Sequence, residues 1–210
     1  MGSINKQISR FECTAVYTHP EARVDIVLIH GLNGEPQKTW TAKNGIFWPT
    51  DLLPDSLKDA HANVLVYGYN ADVYSSRNDK KSEDSTRNPI IWVAHSLGGI
   101  LLKRALEYSN DVRVSQHEDY RSIYVSTFGI IFLGTPHTGS GLATWGHMLQ
   151  SMSDVIIPKK IFESEPVLLK TLKKDNETLQ NINNHFLDIY QRFRIHMAHE
   201  NHKTDIKGSK

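Results

Sequence analysis

One serine stands where the chain can make it nucleophilic. Ser96 lies in Ala94-His95-Ser96-Leu97-Gly98-Gly99, after the short apolar run Pro89-Ile90-Ile91-Trp92-Val93 and before the apolar-periodic segment Ile100-Leu101-Leu102-Lys103-Arg104-Ala105-Leu106. A strand, a sharp small-residue turn and a helix, in that order, hold a serine in a strained backbone conformation. Its hydroxyl then stands exposed above the edge of a sheet. The Leu97 N–H opens the helix, where it can stabilise an oxyanion. Acyl-transfer chemistry needs a second backbone donor facing the same point. The run Asp25-Ile26-Val27-Leu28-Ile29 ends in His30-Gly31-Leu32-Asn33-Gly34, and the loop after such a strand supplies that donor, here the N–H of Leu32. Gly31 and Gly34 let the loop come close. Either turn alone is compatible with a plain connection in another α/β fold. The two in this order point to catalysis.

A third strand, Phe128-Gly129-Ile130-Ile131-Phe132-Leu133, ends in Gly134-Thr135-Pro136-His137-Thr138-Gly139-Ser140. HGLNG, AHSLGG and FLGTPHTGS in that order resemble the serine-active-site-containing serine esterase/lipase family of α/β hydrolases, particularly its fungal members. Pro36-Gln37-Lys38-Thr39-Trp40, Phe47-Trp48-Pro49 and Tyr67-Gly68-Tyr69 also resemble stretches of that family, and the likeness covers most of 24–200 with one gap. The resemblance implies a serine hydrolase acting on a carboxylic ester or lipid acyl group, with no cofactor. It makes Ser96 the nucleophile and puts Glu200 where the triad acid falls. It further implies lipid metabolism or intracellular membrane trafficking, with association to the endoplasmic reticulum or mitochondrion as in relatives.

The base is the missing piece. In this fold the triad runs Ser, acid, His, with the histidine on a loop after the eighth strand. Residues 192–200 read as the seventh strand, and the sequence stops ten residues later at Lys210, so the chain is expected to be shortened there and to lack that histidine. A serine without a base stays protonated and attacks poorly, which predicts weak ester hydrolysis. Among the histidines present, His202 is the preferred substitute, since His199 neighbours Glu200 and faces the other side of a strand. His137 is the runner-up, on the loop after the sixth strand. His95 is expected in the pocket wall, and His30 is expected to shape the oxyanion loop. His196, His199 and His202 suit neither one strand face nor a helical ligand pair, so no metal is expected. The competing class is a non-catalytic α/β-hydrolase-like binding or assembly module, or a truncated inactive product.

These residues need a sheet to position them. Strands are expected over 25–30, 63–68, 90–95, 128–133 and 192–200, with 11–18 as an edge strand, alternating with helical stretches. The predicted fold is α/β: a mostly parallel, α/β-hydrolase-like sheet with helices on both faces, incomplete at its C-terminal end. Residues 1–22 form an N-terminal edge segment and 23–210 the hydrolase domain. A helical insert spans about 141–191, and the apolar face of Leu179, Ile182, Phe186, Ile189 and Phe193 is expected to pack on the sheet. Residues 48–57 read as a short helix, with Asp51, Leu52 and Leu53 in its body and Pro54 interrupting it. Residues 75–88 contain no apolar side chain where relatives carry a helix, so a poorly packed loop is expected. A protein partner covering the sheet face there is one consequence.

Composition limits the alternatives. At 210 residues the chain can bury one substantial core. Its 24 basic and 23 acidic residues give no case for nucleic acid or an anionic surface. A lone cysteine, Cys13, fits a reducing compartment and no internal disulfide. No run is long enough to span a bilayer, and the N-terminus lacks the apolar core of a secretory signal. The sequence therefore reads as intracellular and soluble.

Overall fold

The computed structural model describes residues 2–5, 7–31, 34–69, 88–111, 118–137 and 176–199. Leu32, Glu200 and His202, the loop 75–88 except its last residue, and most of the predicted insert lie outside the described residues. Seven strands form one sheet: β1 (Ser3–Ile4), β2 (Cys13–Thr18), β3 (Val24–Ile29), β4 (Ala62–Tyr67), β5 (Ile90–His95), β6 (Thr127–Leu133) and β7 (Arg194–Ala198). Their order is β1-β2-β4-β3-β5-β6-β7. β1 and β2 run antiparallel to their neighbours, and the five strands from β4 to β7 are parallel. The five strands expected from the apolar runs are therefore the five parallel ones. The early strand Cys13–Thr18 pairs with β4 and carries β1 on its outer side, so β1 takes the edge.

The period-two alternation of each strand divides the core between the two faces. On one face Ile26, Leu28, Val64, Val66 and Val93 meet Trp40. That face is covered by two short helices, α1 (Trp48–Asp51) and α2 (Leu53–Ser56), through Trp48 and Leu53. A proline sits in the first turn of each, Pro49 and Pro54, where its missing N–H costs nothing. Pro54 cannot continue α1, so the predicted single helix is two.

On the other face Ile29, Ala94, Ile130 and Phe132 pack against Leu102 and Leu106 of α3 (Gly98–Asp111). They also meet Phe186 of α5 (Asn176–Ile189) and Phe193 beyond it; α4 (Glu118–Ser126) leads into β6. Phe186 and Phe193 stack at 6.2 Å, and Phe186 meets Phe132 edge-on at 6.2 Å. α5 is thus bound to the sheet, as its apolar period predicted. β4 is buried at Ala62, Val64 and Val66 but only half-buried at the alternating positions, so its second face is thinly covered by the described residues. Asn88, the one described residue of the polar loop, donates to the buried Asp25 carboxylate at 3.2 Å, beside Asn63 at 2.8 Å. These contacts tie the chain down before β5 begins. The parallel sheet, its antiparallel edge, helices on both faces and the serine turn leaving a central strand make the fold α/β-hydrolase-like.

Candidate functional site

Ser96 follows β5 with φ 53°, in the left-handed region that a non-glycine residue enters only when its surroundings compel it. Three contacts compel it. The Ser96 N–H donates to the Leu133 carbonyl at the end of β6, at 2.8 Å. Its own carbonyl accepts from the Gly99 N–H at 3.1 Å, starting α3. A Cβ on Gly98 would strike the His30 carbonyl, so only glycine lets the helix start this close to the end of β3. Gly99 is equally crowded, against Thr135 of the loop after β6. The two glycines of AHSLGG are thus packing residues, and they pull three strand ends together around the serine.

Ser96 is 5% exposed, so the hydroxyl expected to stand exposed above the sheet edge is instead shut in, and its Oγ makes no hydrogen bond to any described residue. Leu97 follows, 9% exposed, with its N–H at the positive end of α3. The first loop arrives from the other side: a Cβ on Gly31 would lie 3.0 Å from the Ser96 Cβ. The Gly34 N–H closes that loop onto the Gly31 carbonyl at 3.1 Å. The start of the loop after β3 is therefore beside the serine, while Leu32 lies outside the described residues.

His30 is fully buried, with Nδ1 2.9 Å from the Gly31 carbonyl. Tyr69 lies parallel to its ring at 4.3 Å and donates its hydroxyl to the His30 carbonyl at 2.8 Å. Burial, then the neighbouring Tyr67, raises the Tyr69 pKa, so the phenol keeps the proton it donates. This support was absent from the sequence reading, where Tyr69 carried only a motif likeness. His95 is exposed and meets Trp40 edge-on at 6.2 Å.

His137 is not on Ser96. Its Nδ1 lies 2.8 Å from Nζ of Lys103, on the second turn of α3. Lys103 is 3% exposed, lies 2.5 Å from Asn183 Oδ1 on α5, and sits 5.4 Å from the rings of both Phe132 and Phe186. Burial lowers its pKa to about 8. Burial, then Lys103 and His199, lowers that of His137 to about 4. The one hint in the sequence was a lysine between Leu102 and Leu106, on the helix's buried side. Beside it Glu107, 6% exposed, is paired with Arg104 at 2.9 Å and His185 at 2.6 Å. Among the described residues no group of His, Cys, Asp and Glu is arranged to hold a metal ion, and no helix is long and apolar enough to cross a membrane.

The chain is 26% identical over 211 residues to Protein SERAC1 of Danio rerio, a match covering 81% of this chain and 30% of that protein. It is 26% identical over 208 residues to Protein SERAC1 of Homo sapiens, with the same coverage. The chain thus spans about 30% of the length of the curated relatives it matches, which are vertebrate proteins. Among solved structures, TT1662 from Thermus thermophilus aligns at TM-score 0.38 and 8% identity, covering 90% of this chain and 84% of that one. MenH from S. aureus aligns at TM-score 0.37 and 10% identity, covering 91% and 90%. No protein-family model matches.

Proposed function

We propose that this chain carries the nucleophile and oxyanion arm of a serine acyl hydrolase of the esterase or lipase type. One observation supports the reading most: Ser96 is held at positive φ with a buried hydroxyl that bonds to no described residue. A strained backbone and an unsatisfied buried oxygen each destabilise a fold, and neither helps it pack. The strained turn is what a nucleophile elbow requires, and an uncommitted hydroxyl leaves the serine oxygen open to a base and a substrate once the site admits them.

In this mechanism Ser96 Oγ attacks the carbonyl carbon of a carboxylic ester or lipid acyl group. The N–H groups of Leu97 and Leu32 take the negative charge that develops on the carbonyl oxygen, and the alcohol leaves with a proton. Water then cleaves the acyl-serine. His202 is the proposed base and Glu200 the acid that orients it. The resemblance to the serine-active-site-containing family, its fungal members included, supports a lipid substrate and an association with the endoplasmic reticulum or mitochondrion.

A fluorophosphonate probe tests the reading directly, because it bonds covalently only to an activated serine. The wild-type protein is expected to be labelled at Ser96, Ser96→Ala to lose the label, and His202→Ala to slow labelling by about 10²–10⁴. An unlabelled wild type would leave a non-catalytic α/β-hydrolase-like binding or assembly module, and labelling that survives Ser96→Ala would put the nucleophile at another serine.

A further inference from the structure

Lysines are almost never fully buried without a purpose or a partner. Lys103 reaches into the polar seam where α3, α5 and the loop after β6 meet. An ammonium has three N–H donors and no acceptor. Both of its polar neighbours must therefore accept: Asn183 through Oδ1 at 2.5 Å and His137 through Nδ1 at 2.8 Å. A neutral imidazole has one donor nitrogen and one acceptor, so an accepting Nδ1 puts the ring's proton on Nε2.

We propose that Lys103 is a positioning residue that fixes His137 as the neutral tautomer protonated on Nε2, which excludes it as the base for Ser96. The tautomer depends only on the contact between the two residues. The exclusion of His137 as the base rests on the acyl-hydrolase reading above.

Three further observations carry the inference. A second proton on His137 would have to sit on Nδ1, facing the ammonium, so the ring stays neutral over the pH range in which Lys103 is charged. Burial, the Lys103 charge and His199 all lower the His137 pKa, to about 4, while that of Lys103 is about 8, and the two ranges do not overlap. The geometry is also rigid. Phe132 meets the His137 ring edge-on at 5.0 Å, and His199 meets it edge-on at 6.4 Å. Thr135, two residues earlier, donates to the Ala94 carbonyl at 3.4 Å and packs on Gly99. The loop bearing His137 is thus fastened to the turn bearing Ser96, and Lys103 projects from the helix that this turn starts. The other charged groups along the seam do not compete for Lys103: Glu107 is taken by Arg104 and His185.

Nitrogen-15 NMR of the whole chain decides the tautomer, with the His137 signals assigned by their loss in His137→Gln. Wild type is expected to show an acceptor-type Nδ1 and a protonated Nε2 at neutral pH, and to remain neutral at pH 5. In Lys103→Met the ring should titrate at least one pH unit higher, with mixed tautomers. A wild-type ring protonated on Nδ1, or charged at pH 5, overturns the proposal. So does a folded Lys103→Met whose His137 titrates as in wild type. If Lys103→Met does not fold, the wild-type tautomer decides alone. The exclusion as base is read from fluorophosphonate labelling of His137→Gln, which keeps a side-chain N–H donor. Labelling should slow by about tenfold or less with an unchanged pH midpoint, whereas removing the base would cost about 10²–10⁴. An unlabelled wild type would remove the hydrolase reading and the question of the base with it, and the tautomer measurement would still stand or fall on its own.

Discussion

Ser96 concentrates two local costs in one residue. Its φ of 53° places a Cβ-bearing residue in the left-handed region, and its Oγ is shut away from water without a partner among the described residues. Removing an unsatisfied buried hydroxyl while keeping the Cβ leaves the strain and relieves the desolvation. Ser96→Ala is therefore expected to stabilise the fold by about 1 kcal/mol, at the low end of the penalty for such a group. Thermal unfolding should show this as a rise in Tm of about 2–4 °C. A drop in Tm would mean that the hydroxyl has a structural partner. Gly98 shows the opposite case: its place against the His30 carbonyl admits no side chain, so the sequence has no choice there.

At the scale of elements, the contact between α3 and α5 matters most for the site. α5 contributes Phe186 to the core on this face and Asn183 to the Lys103 ammonium. Phe186 is 5% exposed and touches Phe132, Phe193 and the lysine. Phe186→Ala should cost about 3–5 kcal/mol, the range for a buried aromatic truncated to alanine. A urea titration measures this as a lower midpoint. Because Phe186 walls in Lys103, the same change should let water reach the ammonium and raise the Lys103 pKa toward its ordinary value. A shift in urea midpoint near zero would show that α5 is not bound to the sheet in solution.

For the molecule as a whole, the half-buried Lys103–His137 contact makes stability depend on pH. Both groups have lowered pKa values when folded, so the unfolded chain binds more protons in two windows: about 4 to 6.5 through His137 and about 8 to 10.5 through Lys103. Stability rises with pH wherever the unfolded state holds more protons. The two groups therefore favour the folded chain increasingly as pH climbs through each window. Each contributes at most about 1.4 kcal/mol per pH unit. Urea unfolding at pH 5, 7 and 9.5 should show both rises, and Lys103→Met should abolish the alkaline one. An alkaline rise that persists in Lys103→Met would assign it to another group.

The sequence alone determined what depends on neighbours along the chain. Apolar runs of about six residues set β3 to β7, small residues set the turn at Ser96, and Pro54 divided α1 from α2. The period of Ile182, Phe186, Ile189 and Phe193 set which side of α5 would be buried. These are local: each follows from backbone sterics, or from the spacing of side chains on a single element. The tertiary structure decided everything that joins distant residues. Tyr69 braces His30 across 39 positions, Lys103 meets His137 across 34 and Asn183 across 80. No periodicity encodes such pairs, because strand order, and not chain order, brings them together. For the same reason His137, a plausible base when read by its place after a strand, became a histidine with its Nδ1 already committed to Lys103. A side chain's type is written in the sequence, but its protonation state is set by the neighbours that the fold supplies.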